Sequence, residues 1–234
     1  MRLDKFLSSQ TSLSRSDVKK EIKKGNVTVN GIIAKSPETK IEESSDRILL
    51  NNKEITYSEH VYYLLNKPQG VISSTEDSNK KTVIDLIKKE DRRLGLHPVG
   101  RLDIDTEGLL IITNDGAFSH NMLSPSKHVN KTYYAKLKGI PNSDSITAFK
   151  KGIDIGTMEA PEICKPANLE LISTDKNNNT CEVRITISEG KYHQVKRMAH
   201  AIGCEVTYLK RLSMGDFTLP NNLELGKYIK LYIS

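Results

Sequence analysis

Asp103 is a carboxylate whose loop setting could serve chemistry or merely form a turn. It stands between two turn-forming runs, Gly100-Arg101-Leu102 and Asp105-Thr106-Glu107-Gly108. The apolar strand Leu109-Leu110-Ile111-Ile112-Thr113 follows and closes on an Asn114-Asp115-Gly116 turn signal. A carboxylate can act as a nucleophile or as a base, and a nearby cation keeps it ionised. Cations of suitable phase occur farther along. Val183, Ile185 and Ile187 alternate with Arg184, Thr186 and Ser188, as a strand buried on one face should. After Glu189-Gly190 the period becomes helical, with Val195, Met198, Ala199 and Ile202 on one stripe and Gly203 ending it. At about 100° per residue, Lys196 flanks that stripe and Arg197 points to the far side. A flanking lysine can reach a half-buried carboxylate at the core edge, whereas an outward arginine suits a phosphate.

The first sixty or so residues form a separate pattern. Leu3, Phe6 and Leu7 fall at helical spacing between Arg2 and Ser9. Ser14 then opens a second helix, with Asp17 in capping-box position, that runs through Val18 and Ile22 to Gly25. Arg15, Lys19, Lys20, Lys23 and Lys24 give it a dense basic surface. Strands are expected at Val27-Thr28-Val29 and around Ile32-Ile33-Ala34, joined by an Asn30-Gly31 turn, and residues 53–59 read as a linker. A β-rich run, Tyr62-Tyr63-Leu64-Leu65, is then halted by Asn66-Lys67-Pro68-Gln69-Gly70, so the domain boundary is placed near residue 60.

Composition sets outer limits. A chain of 234 residues with 37% hydrophobic and 27% charged side chains suits one large or two small globular domains. The net charge of +6 favours a polyanionic partner. Met1 is followed at once by Arg2-Leu3-Asp4-Lys5, with no apolar core of a signal peptide, and no apolar run nears the roughly eighteen residues that span a bilayer. Cys164, Cys181 and Cys204 form no C-x-x-C pair, and the six histidines show no metal-ligand spacing. Reduced cysteines, no metal, no membrane association and a cytoplasmic location are expected.

The run His97–Gly116 resembles the catalytic motif of pseudouridine synthases, G-R-L-D-x-x-T-x-G-L-L, which surrounds an indispensable aspartate. Three further pieces resemble that family in the same order: the Asn66–Gly70 turn, Lys131-Thr132-Tyr133, and Ile185–Met198, whose counterpart supplies the aspartate's basic partner. The N-terminal pattern R-L-D-K-F-L, then S-R-S-D-V-K-K-E-I-K-K-G-N-V-T-V-N-G, resembles the S4 RNA-binding domain over nearly all of residues 1–59. The resemblance implies an α+β chain: an S4 domain over 1–59, joined flexibly to a catalytic domain over 60–234 with a mixed, mainly antiparallel sheet flanked by helices.

It also implies the chemistry. The N1–C1′ bond of a uridine is broken, the base turns, and the bond is remade through C5, a redox-neutral isomerisation that demands no cofactor. Whether Asp103 attacks the sugar, attacks the base or removes a sugar proton stays open. Lys196 is assigned as its partner and Arg197 as an RNA contact. A stacked uridine must be extruded to be reached; Arg101 resembles the arginine that holds this arrangement, Tyr133 offers the base an aromatic face, and Ile187 walls the pocket. His193 is expected to be structural or RNA-facing, and Asp105 to serve the turn. The five basic residues of the second helix would grip RNA phosphates by position, without reading sequence.

Two details resemble the small-subunit branch of the family: the runs His193–Met198 and Lys165–Glu170, and a chain that ends near Lys230–Ser234 without a long basic tail. The implied substrate is 16S rRNA, met as a protein-bound small-subunit assembly intermediate by a monomeric enzyme. A 23S rRNA synthase and a non-catalytic S4-domain assembly factor are the competing readings.

Overall fold

The computed structural model describes residues 1–157 and 159–233; Ser234, the last residue of the expected C-terminal domain, lies outside them. Helix α1 (Leu3–Gln10) and helix α2 (Arg15–Lys23) pack on a small sheet. Its strands are β1 (Val27–Val29), β2 (Ile32–Ile33), β3 (Ile48–Leu50) and β4 (Lys53–Glu54), in the order β2-β1-β3-β4. Leu3, Phe6, Leu7, Val18, Ile22 and Val27 meet in its core. Ser14 caps α2 as its sequence predicts, accepting a hydrogen bond from Asp17 N at 3.2 Å. Gly25, just past the helix, takes φ +80°. Asn30 and Gly31 both have positive φ, the backbone that a two-residue hairpin turn requires.

The expected linker 53–59 is shorter and firmer than its sequence suggests. Lys53–Glu54 pairs with β3 through a turn at Asn51 and Asn52, both at positive φ. Tyr57 then stacks on Phe6, and Ser58 N donates to Gln10 Oε1 at 2.9 Å. Long-range contacts of this kind leave no local periodicity to read.

The remainder is built on a nine-stranded sheet. Its strands are β5 (Tyr62–Lys67), β6 (His97–Pro98), β7 (Glu107–Thr113), β8 (Lys131–Lys138), β9 (Asn168–Asp175), β10 (Thr180–Ile187), β11 (Glu205–Met214), β12 (Phe217–Thr218) and β13 (Tyr228–Leu231). The main order is β13-β5-β7-β11-β8-β10-β9; β6 pairs with β7 and β12 with β11. Helices α3 (Gly116–Leu123), α4 (Ser143–Lys151) and α5 (Gln194–Ala201) pack around it. The class is α+β, and every strand pair in this sheet is antiparallel except β7 with β11. Strand β7 is buried on both faces. Leu110 and Ile112 join the larger apolar cluster with Val183, Ile185, Val195 and Met198, and Leu109 and Ile111 join a second one with Val99 and Met214. Among the described residues no helix is long and apolar enough to cross a membrane.

The β7–β11 pair is the seam between two antiparallel halves and consists of Glu107 opposite Lys210 and Gly108 opposite Arg211. Gly108 makes it possible. It sits at φ +103°, and a Cβ there would lie 2.2 Å from the Arg211 carbonyl oxygen and 2.7 Å from its nitrogen. Both contacts are with backbone, which cannot step aside. Gly108→Ala is therefore expected to destabilise the protein by roughly 2–6 kcal/mol, combining backbone strain with overpacking. Thermal unfolding checks this, and a melting temperature within a degree of the parent would contradict the seam's tightness.

Candidate active site

Asp103 lies on the turn that leads into β7, and buried hydrogen bonds fix that turn from below. Lys67, at the end of β5, is wholly buried. Its ammonium donates to the carbonyls of Pro68, Asp103 and Thr106 at 3.1, 3.0 and 2.9 Å. Burial pulls its pKa down to about 8, against the opposing charges of Asp105, Asp103 and Glu107. Ser73 adds a reciprocal clamp, donating to Leu102 O and accepting from Leu102 N, and Gly70 N donates to Ile104 O. The turn signals in the sequence locate this loop, but Lys67 carries no mark there beyond its place in the Asn66–Gly70 run.

The side chain of Asp103 is about 30% exposed and faces the first turn of α5. Lys196 Nζ lies 3.3 Å from its Oδ2, and His193 Nε2 lies 3.4 Å from its Oδ1. Lys196 does not serve Asp103 alone. It donates to both carboxylate oxygens of Asp105 at 2.7 and 2.8 Å, so one ammonium bridges two aspartates. Burial works against the Lys196 charge, yet the Asp105 hydrogen bond and the charges of both aspartates leave its pKa raised. The same hydrogen bond holds Asp105 below the usual carboxylate range. Asp105 is thus more than the turn-former its sequence position suggests, because the loop brings it round to the helix.

Arg197 departs from its expected outward position. Phase alone sends it away from the stripe, but it is half-buried and meets Ile155 and Glu162. It pairs with Glu162 and donates to Ile155 O at 2.7 Å. The physical reason is that Ile155 and Glu162, distant in sequence, lie on the flank of α5 that a helical wheel leaves open. At the helix entrance His193 takes φ +48° and stacks on the exposed Tyr192, centroids 3.8 Å apart.

These groups line one cavity of about 820 Å³. Asp103, Asp105, Lys196 and His193 form one side, Arg101 reaches it from an exposed position, and Tyr133, Ile187, Leu209, Lys131 and Arg211 form the strand-built floor. Tyr133 is only 7% exposed, fixed between Ile185 of β10 and Arg211 of β11. Asp103, Tyr133 and Lys196, which the sequence reading groups together, line this cavity together. Lys131 stands in the sequence reading only as part of the Lys131-Thr132-Tyr133 run and Asp105 only as a turn residue, while Tyr192 and Arg211 carry no assigned role there; nothing in the mixed run Glu205–Met214 sets Arg211 apart from its neighbour Lys210. On α2, Arg15, Lys19 and Lys23 are exposed, whereas Lys20 is tied to Asp17 and Lys24 to Glu21.

What the cavity offers is a cation-held carboxylate opposite a buried aromatic ring, open to a large ligand. The family model for RNA pseudouridylate synthase matches residues 61–201, and that for the S4 domain matches residues 1–48. The chain is 44% identical over 231 residues to the uncharacterized RNA pseudouridine synthase YtzG of Bacillus subtilis (strain 168), covering 99% of this chain and 95% of that protein. It is 40% identical over 228 residues to ribosomal small subunit pseudouridine synthase A of Escherichia coli (strain K12), covering 97% and 95%. A crystal structure of a pseudouridylate synthase aligns with a TM-score of 0.65 at 39% identity, over 99% of this chain and 96% of that one.

Lys67 gathers three carbonyls under the Asp103 loop, so Lys67→Met is expected to slacken the loop without removing any group from the cavity. The rate at saturating RNA should fall on the order of 100-fold, as a misplacement of about 1 Å entails, while RNA affinity stays within about twofold. Single-turnover kinetics beside a binding titration measure both; an unchanged rate would show that the loop holds its shape without the staple.

Proposed function

Because this chain belongs to the RNA pseudouridylate synthase family, we propose that it isomerises a uridine of the small-subunit 16S rRNA to pseudouridine. The observation that carries the reading is the Asp103 carboxylate paired with Lys196 at 3.3 Å on the wall of a cavity floored by Tyr133. In the reaction the C1′–N1 bond breaks, the freed base turns, C1′–C5 forms, C5 gives up its proton and N1 gains one. No oxidant, reductant or cofactor enters that balance.

Asp103 acts on the sugar or the base as the reactive carboxylate. Lys196 pairs with it at 3.3 Å and helps fix its position, and the second contact of Lys196 with Asp105 fixes the ammonium in place. The extruded uracil lies on Tyr133 with Ile187 as its wall, and Arg101 holds the opened nucleotide. His193 borders the same carboxylate at the RNA-facing rim. Arg197 reaches RNA phosphate only by leaving Glu162, so its first effect is to tie Ile155 and Glu162 to α5. Residues 1–59 make one domain and 60–234 the other. The first grips rRNA through α2, where Arg15, Lys19 and Lys23 have no ion pair among the described residues and Lys20 and Lys24 share theirs with acidic neighbours. The enzyme works as a monomer in the cytoplasm on an assembly intermediate that already carries ribosomal proteins. Support for the small-subunit target comes from the full-length similarity to an enzyme of that name.

Asp103→Asn is expected to abolish pseudouridine formation while leaving RNA affinity within about twofold, since the isosteric amide is a poor nucleophile and base. Mapping pseudouridine in rRNA from cells that lack the protein, with and without the variant supplied back, tests activity and target together. Restoration of the modification by Asp103→Asn would sink the assignment, and a missing site in 23S rRNA would move the target to the large subunit.

Replacing Arg15, Lys19 and Lys23 together by Gln should lower the slope of log affinity against log salt by roughly 2–3, since each phosphate contact contributes about 0.7–0.9. Binding titrations between low and moderate salt measure this. An unchanged slope would show that α2 does not face RNA.

A further inference from the structure

Two cations at the floor of the cavity play no part in holding Asp103. Arg211 is 2% exposed and Lys131 is 8% exposed, and both border the cavity. Arg211 Nε donates to the Leu109 carbonyl at 2.8 Å, which fixes the plane of the guanidinium, while its buried Nη2 has no acceptor among the described residues. Lys131 Nζ reaches the Val129 carbonyl at 3.0 Å. Glu189 is the acidic group whose charge acts on Lys131, and it is shared: its Oε1 already accepts from Lys165 N and Gln194 Nε2. Burial, followed by the charge of Arg211, pushes the Lys131 pKa down. A buried charge without its own counter-ion destabilises a fold, and an unpaired guanidinium nitrogen adds to that. Apolar residues of similar length would seal the same strand pair with less strain, so the two cations call for a negative partner that, beyond the shared Glu189, the described residues do not supply.

Register says where that partner would sit. Arg211 is directly opposite Tyr133 in the β8–β11 ladder, and Lys131 lies two residues before Tyr133 on the same face of β8. A planar base resting on Tyr133 therefore has its edge toward Arg211 and Lys131. On the pseudouridine reading, which this inference rests on, that base becomes negative during the reaction. However Asp103 assists, the C1′–N1 bond breaks with its electron pair passing to the uracil ring, where the charge spreads over N1, O2 and O4. The pair is used again when C5 bonds to C1′; the C5 proton then leaves and N1 is protonated.

We propose that Arg211, with Lys131 beside it, is a catalytic residue that donates hydrogen bonds to a carbonyl oxygen of the detached uracil and stabilises it as an anion. Fixed donors aimed at a charge that develops only during reaction act as an oxyanion hole does. The Leu109 carbonyl supplies the fixing.

The test varies the basicity of the departing ring. Full-length wild type, Arg211→Met and Lys131→Met are compared in single turnover at saturating rRNA fragment carrying uridine or 4-thiouridine at the target position. The sulfur-bearing ring leaves as a weaker base and accepts hydrogen bonds poorly, so it has less need of the cations. Arg211→Met is expected to slow uridine conversion about 100-fold, the usual loss for one such donor, and 4-thiouridine conversion less than about 10-fold, with RNA affinity within about twofold. Equal slowing of the two substrates would reduce Arg211 to a strut of the β7–β11 seam and overturn the proposal, as would no slowing at all. If Arg211→Met does not fold, the same comparison with Lys131→Met decides, with the same selective loss expected. A wild type inactive on every rRNA fragment overturns the activity itself and the inference with it, whereas an active wild type with indifferent variants overturns the inference alone.

Discussion

The approach of Gly108 to Arg211 is the contact on which the rest of the sheet depends. On one side stand β13, β5 and β7, and on the other β11, β8, β10 and β9. Two residue pairs join them, and one of those pairs requires a position without a side chain. The row through this point runs Lys67, Gly108, Arg211, Tyr133, Ile185, each opposite the next in the ladder. Residues opposite one another in a sheet share a face. The lysine that staples the Asp103 loop, the seam glycine, the buried arginine and the pocket tyrosine therefore fall in one line across the sheet, and the cavity opens above it.

This explains how a loop aspartate acquires a fixed position. Loops are ordinarily the more mobile parts of a structure. Here the loop enters β7 at the seam, with the Lys67 ammonium holding two of its carbonyls, those of Asp103 and Thr106, and Ser73 clamped to Leu102. From the other side Lys196 reaches it with a bridge to two carboxylates. Rigid support below and electrostatic support above leave the carboxylate partly solvated and facing open space.

Much of this was legible in local pattern. The Ser14 cap and Gly25 stop bound α2 correctly, the alternation around 183–187 is β10, and the stripe Val195, Met198 and Ala199 is buried as a helical period requires. Lys196 reaches the loop because it flanks that stripe. The pattern fails where position depends on pairing between distant segments. Arg197 meets Ile155 and Glu162, whose placement no helical wheel contains, and Asp105 meets α5 only because the loop curls back. Arg211 is the extreme case. A charge beside Lys210 in a mixed strand reads as solvent-facing until both neighbouring strands are known, and only then does it prove to be buried.

The seam also governs when the molecule becomes itself. The Arg211 hydrogen bond to Leu109 spans 102 positions of the chain, and the Asn66 side chain reaches the Leu223 carbonyl across 157. Closing such long loops is entropically unfavourable and slows folding. The order of synthesis sharpens the point: the Asp103 loop leaves the ribosome long before β11, the strand against which its own strand must lie. Residues 1–55, with local pairings and their own apolar cluster, have all their partners early. An N-terminal surface is therefore complete while the carboxylate site is still unassembled, and the last fifth of the chain switches the site on.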